Sequence, residues 1–204
     1  MTVTGPLLPL VAEEFAASIG DPGLIVSAFA VPYGACQIFF GPLGDRFGKL
    51  TVISLGLGVS TIFVVGCGLA DTLDGLATMR FFSGLAMAAT VPLAMAYIAD
   101  EVPYAQRQPV IGRYINGLVL GQIAGGVFGG LAAEYFEWRW IFYFFALFCA
   151  LFAIALWTRR GASKAPQTAE HRTIGETLAI YAGLFRNPRS LCLTITGYLA
   201  GLLI

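Results

Sequence analysis

The sequence predicts an all-α membrane protein of seven helices, the first and last of them incomplete, and three observations lead there. Hydrophobic residues fill 57% of the 204 positions and charged ones 12%, with a mean hydropathy of +0.77, a balance foreign to water-soluble domains. Five complete runs without Asp, Glu, Lys, Arg or His have spanning length, since a hydrocarbon core about 30 Å thick needs about 20 helical residues. Basic residues collect on alternate connections, so they share one side of the membrane.

The elements follow in chain order, each bounded by charged or turn residues. Residues 1–17 are expected to be the second half of a spanning helix, ending in Glu13-Glu14 and a turn at 18–22. No basic segment precedes this run and no small-residue cleavage site follows it, so it is not read as a signal peptide. The complete runs Pro22–Phe40, Leu50–Ala70, Phe81–Ala99, Tyr114–Ala133 and Trp140–Thr158 predict helices over about 22–40, 50–70, 75–99, 110–133 and 138–158. The hydrophilic stretch 159–189 reads as a linker between two bundles, and 190–204 as the start of helix seven.

Arg46, Lys49, Arg107, Arg113, Arg159, Arg160, Lys164, Arg172, Arg186 and Arg189 fall on one side, which is therefore assigned to the cytoplasm. Glu13, Glu14, Asp21, Asp71, Asp74, Glu134 and Glu137 fall on the other. Twelve basic residues balance twelve acidic ones, so no nucleic-acid partner is expected. Cys36, Cys67, Cys149 and Cys192 lie in apolar runs and read as small packing residues, with neither a disulfide framework nor a metal site. No phosphate loop and no nucleophile with a histidine partner occurs, and His171 reads as a solvated linker residue, so neither an enzyme nor a cofactor is expected.

The decapeptide Gly41-Pro42-Leu43-Gly44-Asp45-Arg46-Phe47-Gly48-Lys49-Leu50 packs glycines, an ion pair and a further cation between two spanning runs. It resembles the loop between the second and third helices of the major facilitator superfamily, with Leu50 where a second cation is usual. The resemblance covers the whole chain and implies a six-helix bundle of the major facilitator fold plus the start of a seventh helix, the first helix being truncated. Asp45 ends a helix, where the helix dipole disfavours an anion, so a cation should compensate it, with Arg46 and Lys49 the local candidates. Asp100 and Glu101 repeat the problem on the same side, with Arg107 and Arg113 following. The resemblance implies that Gly41, Gly44, Asp45, Arg46, Gly48 and Lys49, with Asp100, Glu101, Arg107 and Arg113, form a gate whose other face lies in the missing carboxy-terminal half. Ordinary solvated pairs on the cytoplasmic face are the simpler reading.

Arg80-Phe81-Phe82-Ser83-Gly84 is similar to the family's fourth-helix pattern, and a membrane-depth arginine marks a proton or substrate path unless it snorkels to the interface. Gly117, Gly121, Gly125 and Gly129 recur every four residues with Gly126 and Gly130 beside them, which suits close helix packing. This stretch resembles the antiporter motif of drug and proton exchangers, with Gly126 in place of its proline. Thr4, Tyr33, Gln37, Ser83, Asn116 and Gln122 are candidate cavity-lining residues or interhelical hydrogen bonders. Gly5-Pro6-Leu7-Leu8-Pro9 resembles the family's proline-rich first helix, and Trp138-Arg139-Trp140-Ile141-Phe142 its drug-exporter relatives. An inverted repeat within the half would echo the decapeptide three helices later, and Gly130-Leu131-Ala132-Ala133-Glu134-Tyr135-Phe136 follows it loosely.

The expected function is a secondary active transporter working by alternating access, with proton-coupled efflux of a small organic molecule, drug-like or sugar-like. The expected partners are the lipid bilayer, protons and the small-molecule substrate, and the expected location is the bacterial inner membrane as a multi-pass protein. A facilitator-type importer of sugars or organic acids and a non-transporting membrane scaffold or sensor stand as alternatives.

Overall fold

A computed structural model describes residues 7–15, 22–135 and 137–160. Thr4, His171, Cys192, nearly all of the expected linker and the expected seventh helix lie outside these residues. Every regular element among the described residues is a helix: α1 (Leu8–Glu14), α2 (Pro22–Phe47), α3 (Lys49–Gly68), α4 (Leu73–Met87), α5 (Thr90–Glu101), α6 (Tyr104–Tyr135) and α7 (Trp138–Arg159). Five stretches are long and apolar enough to cross a membrane, namely Gly23–Phe47, Lys49–Gly68, Leu73–Glu101, Tyr104–Leu131 and Trp138–Arg159.

The helix boundaries follow local chemistry. Thr72 caps α4 by accepting the Gly75 amide at 3.1 Å, with Asp74 in the first turn, where the dipole favours an anion. Helix α2 runs past the charge-free stretch to Phe47, through Pro32 and Pro42. Gly48 stops it with φ +88° and begins the path into α3. A side chain at that φ is strained, so Gly48→Ala is expected to destabilise the bundle by about 1–3 kcal/mol, read as a lowered thermal midpoint.

The span Leu73–Glu101 is one span in two pieces. Proline at position 92 has no N–H to give the Ala88 carbonyl, and its ring crowds that carbonyl, so the helix breaks at Ala88-Ala89. Ala88 instead donates to Leu85 at 3.3 Å, and Leu93 resumes the helical pattern by donating to Ala89 at 3.2 Å. Helix α6 begins at Tyr104, so Arg107 and Arg113 sit on its first turns.

Helix α3 packs most extensively on α7 and also on α4, while α2 packs on α4. Two apolar cores result. One, near the Glu14 end, joins Leu7 and Val11 to Cys67, Leu76, Trp138 and Phe142. The other, toward the Asp45 end, joins Val52 and Ile53 to Ala89 and Leu93. Helix α6 leans lightly on α5 and α7 and leaves Leu120, Ile123, Val127 and Phe128 exposed.

Candidate functional site

The decapeptide folds into the last turns of α2 and the first of α3, and it meets the end of α5. Gly44 is what lets α2 approach, because a Cβ there would lie 2.4 Å from Cδ2 of fully buried Leu93. Lys49 then bridges two carboxylates, Asp45 at 3.3 Å and Asp100 by a short hydrogen bond. Both acids end helices and Lys49 starts one, so each charge opposes its own helix dipole and is offset by the others.

The structure leaves the neighbouring cations out of this cluster. Arg46 is exposed, its guanidinium 5.2 Å from the Phe47 ring centroid. Arg107 donates from Nε to the Val102 carbonyl at 2.9 Å, closing the α5 to α6 turn. Arg113 is exposed on α6 and makes no ion pair among the described residues. Glu101 is exposed one position beyond Asp100.

Arg80 lies inside the bundle rather than at its rim. Its guanidinium is 5.0 Å from the Phe142 ring centroid and 5.7 Å from that of Phe29. Nε is buried without a hydrogen-bond partner, and Arg80 makes no ion pair among the described residues. A turn along, a Cβ on Gly84 would lie 2.4 Å from the Phe29 carbonyl oxygen, so α4 and α2 touch backbone to backbone and hold Arg80 against the aromatic walls.

At the opposite end of the bundle from Asp45, Arg139 forms a second cluster. It pairs with Glu14 at 2.8 Å and Asp71 at 3.5 Å, and donates to the Gly68 carbonyl at 3.4 Å. The Trp138 indole N–H donates to the same Glu14 carboxylate, and Phe15 meets the Trp138 ring edge-on at 6.1 Å.

The family model described as Major Facilitator Superfamily matches residues 1–204. The chain belongs to the Major Facilitator Superfamily. It is 36% identical over 141 residues to "Probable sphingolipid transporter spinster homolog 1" of Arabidopsis thaliana, covering 69% of this chain and 29% of that protein. It is 34% identical over 148 residues to "Uncharacterized MFS-type transporter YwfA" of Bacillus subtilis, covering 70% and 35%. It is 28% identical over 153 residues to "Efflux pump radE" of Floropilus chiversii, covering 74% and 28%. The chain thus spans about a third of the length of these curated relatives. Its family and its five apolar spans make it an integral, multi-pass membrane protein.

Other expected positions of this Major Facilitator Superfamily chain fall as follows. Tyr33 stacks on Phe29 at 5.7 Å and Gln37 is half-buried one turn on. Ser83 is fully buried, its hydroxyl donating to the Arg80 carbonyl at 2.8 Å. Asn116 and Gln122 are exposed on α6. A Cβ at Gly117, Gly121, Gly126 or Gly130 would meet nothing within 4 Å, while Gly125 and Gly129 are buried along the same helix. The glycines on which neighbouring helices rest among the described residues include Gly44 and Gly84, and also Gly56, whose Cβ would lie 2.6 Å from the Ala86 carbonyl oxygen.

Sequence reasoning used Glu14 and Asp71 only in assigning sides and Arg139 only within the Trp138 to Phe142 resemblance, and it did not join the three. The dipole argument that flagged Asp45 applies equally to Glu14, and that was the available signal. For the Asp45 cluster, a double-mutant cycle of Lys49→Met and Asp100→Asn in thermal unfolding should give a coupling of roughly 0.2–1 kcal/mol, as expected for partly exposed pairs.

Proposed function

We propose that the chain is the amino-terminal bundle of a secondary active transporter that works by alternating access and exports a small organic molecule, drug-like or sugar-like, in exchange for protons. The observation that carries this is Arg80: its buried Nε has no hydrogen-bond partner and it makes no ion pair among the described residues, and its guanidinium lies against Phe29 and Phe142, in a chain of this superfamily. A charge so placed is expensive and marks a transport path. Arginine does not release its proton in proteins, so Arg80 acts through its field, favouring proton loss from any acidic group that approaches it.

The relatives' names add support. One is an efflux pump and one a probable sphingolipid transporter, which suits export of an apolar or amphiphilic solute. In this reading the Asp45, Lys49 and Asp100 cluster is a cytoplasmic latch that closes against the rest of the longer protein, with Gly41, Gly44, Gly48, Arg46, Glu101, Arg107 and Arg113 shaping it. The open glycine face of α6 is where that remaining portion packs, and Tyr33, Gln37, Asn116 and Gln122 face the shared cavity. The bacterial inner membrane is the proposed location.

The test is the full-length protein in proteoliposomes with an imposed pH gradient, using ethidium as the drug-like probe and lactose as the sugar-like one. Expected is ethidium or lactose flux that follows the gradient and collapses with a protonophore. Flux of both that ignores the gradient overturns the exchange.

A further inference from the structure

Lys49 and Arg139 sit at opposite ends of the bundle and obey one rule. Lys49 is the first residue of α3 and holds Asp100, the penultimate residue of α5; Arg139 is the second residue of α7 and holds Glu14, the last residue of α1. Each pair joins a carboxylate at a helix carboxyl end to a cation at a helix amino end. That is the reverse of what either helix dipole prefers, so neither charge serves its own helix and both serve the junction. Counting α4 and α5 as one span, α1 to α3 and α4 to α7 are two triplets, and the last helix of each holds the first element of the other. The rule is that of an inverted repeat, and the loose echo of Gly41 to Phe47 in Gly130 to Phe136 lies two residues short of Arg139, as the decapeptide's opening lies one residue short of Lys49.

We infer that Glu14 and Arg139 are positioning residues that fasten the end of α1 to α7, the inverted-repeat counterpart of the Lys49 and Asp100 pair. The surroundings are built for a tie that stays closed. Trp138 is 4% exposed and gives the Glu14 carboxylate a second donor, while Arg139 also engages Asp71 and the Gly68 carbonyl. Directly beneath, Leu7 and Val11 of the α1 segment are 1% and 3% exposed against the α3 and α7 core. A charge-assisted pair beside so buried an apolar seam holds α1 in place. The inference concerns the placement of α1 and needs neither a substrate nor a coupling ion, so its test is separate from that of the transport reading.

The test uses the full-length protein in lipid vesicles, with its native cysteines replaced and a reporter introduced as Val11→Cys. A membrane-impermeant maleimide is applied from each side in turn. The reporter is expected to label slowly with the tie intact and roughly tenfold faster in Arg139→Gln or Glu14→Gln, the factor that loss of one charge-assisted hydrogen bond allows. Arg139→Lys, which keeps a cation opposite Glu14, restores protection, and Asp100→Asn at the other end leaves it intact. Equal labelling with and without Arg139, no protection from Arg139→Lys, or the same acceleration from Asp100→Asn overturns the inference. A second measurement works without the reporter: thermal unfolding of Glu14→Gln, Arg139→Gln and the double variant. Single shifts that overlap, the double variant falling little further than one of them, support the tie; strictly additive shifts overturn it.

Discussion

Gly84→Val is expected to separate α4 from α2 and to be the most destabilising single change in the bundle. The incoming Cβ would stand 2.4 Å from the Phe29 carbonyl oxygen, 3.1 Å from its carbonyl carbon and 3.2 Å from its Cα. These are backbone atoms of a helix, which cannot rotate aside as a side chain would. Relief requires α4 to withdraw along its length, opening a gap where Arg80 now lies on Phe29. The expected loss is about 3 kcal/mol or more, seen as a collapse of monodisperse protein in detergent and a large fall in thermal midpoint. The comparison variant is Gly121→Val, whose Cβ meets nothing within 4 Å. Its effect on stability of this bundle should stay within about 0.5 kcal/mol. If Gly121→Val proves as damaging as Gly84→Val, the asymmetry between the two glycine sites is wrong.

Arg80→Gln is expected to separate stability from transport. The guanidinium Nε is buried without a partner among the described residues, so the native protein carries a desolvation cost that the Phe29 and Phe142 rings only partly offset and that a neutral side chain reduces. The thermal midpoint should hold or rise, by an amount corresponding to about 1–4 kcal/mol, while gradient-driven flux is lost. Arg80→Lys should recover part of the flux, since it keeps the charge but not the planar face that lies against Phe142 and Phe29. A variant that lost stability and flux together would make Arg80 a structural residue.

The spans were legible because lipid imposes its own grammar: an uninterrupted apolar run of the right length has few other uses. Their ends were harder to read. The expected helix stops at Phe40, before Gly41-Pro42, yet α2 continues to Phe47 with Pro42 inside it, and it is the positive φ of Gly48 that ends it. Proline at 92 was visible, but an apolar run gives no sign that the helix is interrupted at Ala88-Ala89. Lys49 beside Asp45 was legible as a neighbour at helical spacing. Its bond to Asp100, 51 residues away, and that of Arg139 to Glu14, 125 residues away, depend on which helix ends meet. That is a tertiary fact, and only the residue types foreshadowed it. The glycines show the same limit: regular spacing drew attention to Gly117, Gly121, Gly125 and Gly129, while unremarkable Gly56 carries a backbone contact of α3 with α4.

The break in the fourth span changes how force travels along it. An unbroken helix is stiff because bending it must stretch a continuous ladder of backbone bonds. At Ala88 the rung is already gone, since proline at 92 has no hydrogen to offer and the Ala88 amide has turned to Leu85. Thr90 adds a buried hydroxyl with no partner among the described residues at the same place, so little polar bonding resists a change of angle there. The segment bearing Arg80 and the segment bearing Asp100 are thus two stiff rods joined by a compliant elbow. A bend between the two segments should therefore cost less at Ala88-Ala89 than within either of them.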